Sequence, residues 1–245
     1  MANIEFINFE EISSTNTYAL ENIENLNDRT VIFADRQTQG RGRFDRVWES
    51  GNSSNLYFSI VLKPTNIVDE NLPLANSTQY MSLILCRVLD SYGLQSQIKW
   101  PNDVMIEGKK VAGILAETSI KGQIFKGLVV GVGVNLNSKK EEIRNINQPA
   151  TSLNLELGQD IDKKIFFNCL IEAFFEGYDE FLESGFALIK HDYVQKCFFI
   201  GSQIKINEIS QSYDAMANGI NDDGTLNLKI DETEKNISVG DILCR

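Results

Sequence analysis

Two stretches joined by a short turn decide the fold: Lys110-Val-Ala-Gly-Ile-Leu-Ala-Glu117 and Ile124-Phe-Lys-Gly-Leu-Val-Val-Gly-Val-Gly-Val-Asn135. Both are apolar and bounded by turn residues, and Lys121-Gly122 lies between them, so they predict an antiparallel pair of strands. Just upstream, Gln97-Ile-Lys-Trp100 reads as a short strand ended by Pro101, with Asn102-Asp103 in the turn. Glu107-Gly108 then forms a hairpin turn into the Lys110 strand. Gly131-Val-Gly133 is no dinucleotide fingerprint, because G-x-G-x-x-G is incomplete and no helix opens there. No Walker sequence occurs.

Farther out, Ile4–Phe9 alternates like a half-buried strand, and Thr30–Ala34 and Leu56–Leu62 read as buried ones, the second stopped by Pro64. Ser13-Ser14-Thr15-Asn16 precedes an apolar helical pattern and supplies capping side chains. Ser77–Tyr92 predicts a buried helix closed by Gly93, with Cys86 in its apolar stripe. Ala150-Thr-Ser caps a short helix from Leu153. Ile165–Glu183 is a helix whose phenylalanines, Phe166, Phe167, Phe174, Phe175 and Phe181, belong to a core. The composition shifts near Phe199-Ile-Gly201. Four short β patterns follow, with turns at Asp223-Gly224 and Gly240-Asp241. The expectation is an α+β fold: a central mixed, largely antiparallel sheet flanked by helices over residues 1–198, and a small C-terminal β-barrel over 199–245.

The segment Arg36-Gln-Thr-Gln-Gly-Arg-Gly-Arg-Phe-Asp-Arg-Val-Trp48 concentrates Arg36, Arg41, Arg43 and Arg46 in a 245-residue chain of net charge −11. Glycines that permit positive φ let backbone N–H groups converge on an oxyanion, and guanidinium forks match carboxylate and phosphate. The segment therefore reads as an anion-binding loop, costly to order without its anion. The excess of 34 acidic over 23 basic residues argues against non-specific binding to nucleic acid or anionic membrane. The chain start has no basic n-region or apolar h-region, no apolar run is long enough to span a bilayer, and Cys86, Cys169, Cys197 and Cys244 form no C-x-x-C pair. These features predict a cytoplasmic protein. His191, the single histidine, lies on the polar side of a helix, so imidazole-based zinc sites and a Ser-His-Asp triad are not expected.

Gly40-Arg-Gly-Arg-Phe-Asp-Arg-Val-Trp48 and Lys99-Trp-Pro-Asn-Asp-Val-Met-Ile-Glu-Gly-Lys-Lys-Val-Ala-Gly-Ile-Leu115, with Ser14-Thr15-Asn16 upstream and Gly131-Val-Gly-Val-Asn135 downstream, closely resemble the motifs of the bacterial biotin–protein ligases. The resemblance covers nearly the whole chain. Asp45 stands where the family pattern usually has glycine. The resemblance implies a class II synthetase-like core with an SH3-like C-terminal domain. It implies activation of biotin by ATP with Mg²⁺ to biotinyl-AMP, then transfer to a lysine of a biotin carboxyl carrier protein of acetyl-CoA carboxylase. By resemblance, Ser14, Thr15, Asn16, Gln37, Arg41, Gly42, Arg43 and Lys110 contact biotin. Arg43, Arg46, Trp48, Asn102, Asn135 and Thr151 are placed around ATP or the adenylate. Lys110, Arg41 and Arg43 are the catalytic candidates, and Asp103 the candidate to assist the metal. Two other readings stay in view: a lipoate-attaching enzyme and a biotin-binding regulator. Dual-function family members carry a DNA-binding domain of roughly 60 residues before the core. Here Ser14 comes so early that no DNA binding is expected. An exposed sheet edge and the family habit admit a homodimer.

Overall fold

The computed structural model describes residues 4–44, 46–49, 54–64, 76–144, 146, 148–208 and 210–244; Asp45 lies outside them. In chain order the first elements are β1 (Glu5–Ile12), α1 (Thr15–Glu21), β2 (Thr30–Gln37) and β3 (Leu56–Leu62). Then come α2 (Ser77–Ser91), β4 (Ser96–Lys99), β5 (Asp103–Ile106), β6 (Lys109–Lys121) and β7 (Ile124–Val134). The helices α3 (Lys140–Arg144), α4 (Leu153–Leu157), α5 (Lys163–Ser184) and α6 (Lys190–Lys196) follow. The chain ends with β8 (Gln203–Asn207), β9 (Ser212–Ile220), β10 (Leu226–Ile230), β11 (Thr233–Ile237) and β12 (Asp241–Cys244). The last strand has no counterpart among the four expected β patterns.

By packing, the chain forms two compact units, Met1–Glu70 with Gly108–Ile171, and Asn71–Glu107 with Glu172–Arg245. In the first, the strands run in the order β1-β2-β3-β7-β6. The β1–β2 pair is parallel and the others antiparallel, which makes the sheet mixed, as the sequence predicts. Gly122, at φ +65°, makes the turn from β6 into β7. Alternation divides the sheet into two faces. On one, Phe33 of β2 and Phe58 of β3 pack on Phe167 of α5 at ring-centre distances of 5.3 and 5.4 Å. On the other, Ile32, Val61 and Val129 meet Ala19, Ile23 and Leu26 of the α1 region in a buried cluster. The α1 region covers only part of that face, and the remainder carries the site described below.

The second unit contains the β4–β5 hairpin, α2, α6 and the C-terminal antiparallel sheet of order β11-β10-β9-β8-β12. Tyr80 of α2 stacks on Phe181 at 4.4 Å, and its hydroxyl donates to the Phe174 carbonyl at 2.8 Å. The turn before β10 is tied down by three side chains. Asn76 Nδ2 donates to the Asp223 carbonyl at 3.0 Å, and Gln79 Nε2 and Trp100 Nε1 donate to the Gly224 carbonyl at 2.8 and 3.2 Å. Only glycine fits there, since a Cβ on Gly224 would lie 2.1 Å from Asn76 Nδ2. These bonds join Asn76, Gln79 and Trp100 to the C-terminal strands. His191 is exposed on α6, in contact with Gln195 at 2.9 Å.

Candidate active site

Ser14 is the N-cap of α1: it is extended (φ −159°, ψ 134°) and its hydroxyl oxygen accepts from Thr17 N at 3.4 Å. The capping expectation thus holds for Ser14, while Thr15 and Asn16, the first helical residues, face inward and are buried with it. The Thr15 amide donates to Gln37 Oε1 at 2.8 Å, tying the helix start to the end of β2. Beneath them Ser59 of β3, fully buried, has its Oγ 2.7 Å from Thr15 Oγ1 and 2.5 Å from Asn16 Oδ1. A hydroxyl carries one proton, and an amide oxygen only accepts. Ser59 therefore donates to Asn16 and receives from Thr15, and the Thr15 Oγ1–Gln37 Oε1 contact is the longest of the three at 3.1 Å. Asn16 Nδ2 spends its two hydrogens on the Leu115 carbonyl (3.2 Å) and Glu117 Oε2 (3.0 Å). The orientation of this amide is thereby fixed. One lone pair of Oδ1 has no partner among the described residues.

Glycines make the space for these side chains. Gly131 of β7 sits opposite Ser59 of β3 and Leu115 of β6. A Cβ there would lie 2.0 Å from Asn16 Oδ1. Two residues on, Gly133 pairs with Gly113 of β6. A Cβ on Gly133 would meet the Trp48 indole at 2.5 Å, and one on Gly113 would meet Trp48 at 2.9 Å and Lys110 Nζ at 3.1 Å. The three glycines form a strip of sheet with no side chains of its own, on which Asn16 rests at one end and Trp48 and Lys110 at the other. Lys110 Nζ is 5.4 Å from the Trp48 ring centre, within cation–π range. Trp48 Nε1 is buried and has no hydrogen-bond partner among the described residues.

The arginine segment, as far as it is described, is a tight hairpin and not an open loop. Gly42 N donates to the Arg46 carbonyl at 2.7 Å, Trp48 N to the Gly40 carbonyl at 2.9 Å, and Arg41 pairs with Val47 across it. Part of the negative charge that the sequence leads one to expect comes from the protein itself, because Arg41 Nη2 donates to Glu117 Oε1 at 2.7 Å. Arg43 and Arg46 lie over the Phe44 ring at 4.8 and 6.0 Å.

Lys110 is anchored by its backbone. Its N–H donates to the Pro149 carbonyl and its carbonyl accepts from Thr151 N, both at 2.9 Å. Asn135 and Thr151 are buried, with Asn135 Nδ2 donating to the Thr151 carbonyl at 3.0 Å and Asn135 N to the Val111 carbonyl at 2.8 Å. Ser14, Thr15, Asn16, Gln37, Arg41, Gly42, Arg43, Arg46, Trp48, Lys110, Asn135 and Thr151 all belong to the first unit. Asn102 and Asp103 belong to the second, Asn102 buried and Asp103 within 3.9 Å of Lys99 Nζ. Among the described residues no cluster of three or more His, Cys, Asp or Glu could hold a metal ion. Sequence reasoning missed Ser59, Glu117 and the glycine strip. A glycine inside a strand does signal close approach of another group, but not which one.

The structure thus brings together a buried polar corner, a glycine strip under Asn16 and Trp48, and a lysine beside an arginine hairpin. The chain belongs to the biotin/lipoate A/B protein ligase family, whose model matches residues 8–135. Among curated relatives, the bifunctional ligase/repressor BirA of Bacillus spizizenii is 32% identical over 94% of this chain and 71% of its own length. The biotin–[acetyl-CoA-carboxylase] ligase of Paracoccus denitrificans is 30% identical over 88% and 90%. The biotin protein ligase of Aquifex aeolicus in complex with biotin and ATP superposes with a TM-score of 0.82 at 29% identity, covering 98% of this chain and 97% of that one.

Proposed function

We propose that this chain is an ATP-dependent biotin–protein ligase, which activates biotin as biotinyl-5′-AMP and passes it to a lysine of a biotin carboxyl carrier protein of acetyl-CoA carboxylase. The observation that carries the reading is the glycine strip running from the fixed Asn16 amide to Lys110. The ureido ring lies at the Asn16 end, where Oδ1 accepts one of its N–H groups and the Ser14–Thr15 turn and Gln37 surround it. The acidic tail runs from Asn16 past the Trp48 ring, which rests on Gly133, toward Lys110. Lipoate, whose ring has no N–H to offer, would leave that Oδ1 unused, so the polar corner favours biotin.

Two anions must meet for the carboxylate oxygen to attack the α-phosphorus, with pyrophosphate leaving. Lys110 bridges carboxylate and α-phosphate and stabilises the charge that develops. Arg41 and Arg43 close over the adenylate, Arg46 lies toward its phosphate side, and Trp48 packs on the tail and nucleotide. Asn135 and Thr151 hold the β7–α4 connection beside the adenine. The carrier lysine amine then attacks the mixed anhydride carbonyl, and AMP departs. Mg²⁺ enters as the counter-ion of ATP. The outer edge of β1 pairs with no strand among the described residues and is the surface assigned to a homodimer. The charge of −11 disfavours DNA as a partner. The reading places the protein in the cytoplasm; among the described residues no helix is long and apolar enough to cross a membrane. Incubation with MgATP, biotin and a carrier domain, read by mass spectrometry, tests the activity. One biotin added to one carrier lysine is expected, and an unmodified carrier refutes it.

A further inference from the structure

Glu117 lies on β6 with its two oxygens committed in different directions, Oε1 to Arg41 at 2.7 Å and Oε2 to Asn16 Nδ2 at 3.0 Å. One carboxylate thus joins the buried polar corner to the arginine hairpin. We infer that Glu117 is a positioning residue that couples the biotin and nucleotide sites, so that filling one raises affinity for the other; this rests on the function proposed above.

The coupling follows from hydrogen-bond valence. Both hydrogens of Asn16 Nδ2 are taken, by the Leu115 carbonyl and by Glu117. Flipping the amide would set its oxygen against two acceptors. A ligand N–H on Oδ1 polarises the amide and strengthens the Nδ2 bond to Glu117, since hydrogen bonds in a chain reinforce one another. Glu117 is then held with its other oxygen toward Arg41, and Arg41 keeps its place at the edge of the strip. An anion that fixes Arg41 from the far side fixes Glu117, and through it Asn16. Linkage makes the two effects equal. Aspartate, one methylene shorter, cannot span both partners. Glutamine keeps an acceptor for Asn16 but turns an amide NH₂ toward the guanidinium.

Titration calorimetry of the full chain tests this, with biotin Kd measured alone and in the presence of a saturating non-hydrolysable MgATP analogue. Wild type should show coupling at the low end of the usual range, about 5-fold tighter biotin with the analogue bound, because it passes through a part-exposed ion pair. In Glu117→Gln and in Glu117→Asp the ratio should fall to within about twofold of unity. Biotin affinity without nucleotide should drop only a few-fold in Glu117→Gln, a split that a merely structural role would not produce. Arg41→Met should lose the same coupling, with no further loss in the double variant. A wild-type ratio in Glu117→Gln, or no coupling in wild type, overturns the inference while leaving the function standing. Failure of wild type to bind biotin at all overturns both.

Discussion

The polar corner and the arginine hairpin lie at two ends of one site but are held by different forces. At the corner, Ser14, Thr15, Asn16 and Ser59 are all buried, and every bond among them is shielded from water. Leaving one such group unsatisfied costs about 1–3 kcal/mol. The hairpin is held by a few backbone bonds and by the Arg41–Glu117 pair, whose side chains are 44% and 22% exposed. An exposed ion pair contributes about 0–1 kcal/mol. The difference teaches that the fold itself holds the corner in place, whereas the hairpin rests on contacts weak enough for a bound anion to change.

Substitutions at the two ends should therefore differ in kind. The largest effect belongs to Lys110, beside Trp48 at the hairpin end. Lys110→Ala should slow single-turnover pyrophosphate release about 100- to 1000-fold, the loss of about 2.7–4 kcal/mol typical of removing a preorganised donor. Biotin affinity should fall much less, and a rate near that of wild type would remove Lys110 from the chemistry. Next comes Gly131→Ala. Its Cβ would lie 2.0 Å from Asn16 Oδ1, so the buried amide must move, and overpacking of this kind costs about 1–3 kcal/mol. At 1.4 kcal/mol per decade, biotin should bind about 5- to 150-fold more weakly by calorimetry. Unchanged affinity would show that the corner is not preformed. Ser59→Ala is milder. It removes the donor to Asn16 Oδ1 and should cost about 1 kcal/mol, seen as a melting temperature lower by about 2–4 °C.

Much of this was legible in the sequence, and what was not has a common cause. The β6–β7 pair, the mixed sheet, α2 and α5 follow from apolar periodicity and turn residues, all of them local signals. Ser14 was legible as a cap for the same reason. Glu117 was not, because its partners Arg41 and Asn16 lie 76 and 101 residues away. Ser59 likewise reaches back 44 and 43 residues to Thr15 and Asn16, and inside an apolar strand it carries no pattern of its own. Gly131 and Gly133 mattered for what rests on them, which only the folded chain supplies. The arginine segment was expected to need a foreign anion to order it; the charge of Glu117, invisible at that distance, lets its described residues fold into a hairpin.

The central claim is that the corner stands ready while the hairpin tightens on the adenylate, and limited trypsin digestion tests it most directly. Arg41, Arg43 and Arg46 are themselves cleavage sites. Cleavage after these three residues should be measurable in the protein alone and strongly slowed by biotin with MgATP, while peptides from β6 and β7 release at the same rate in both. Equal cleavage at the three arginines with and without the substrates would contradict the account.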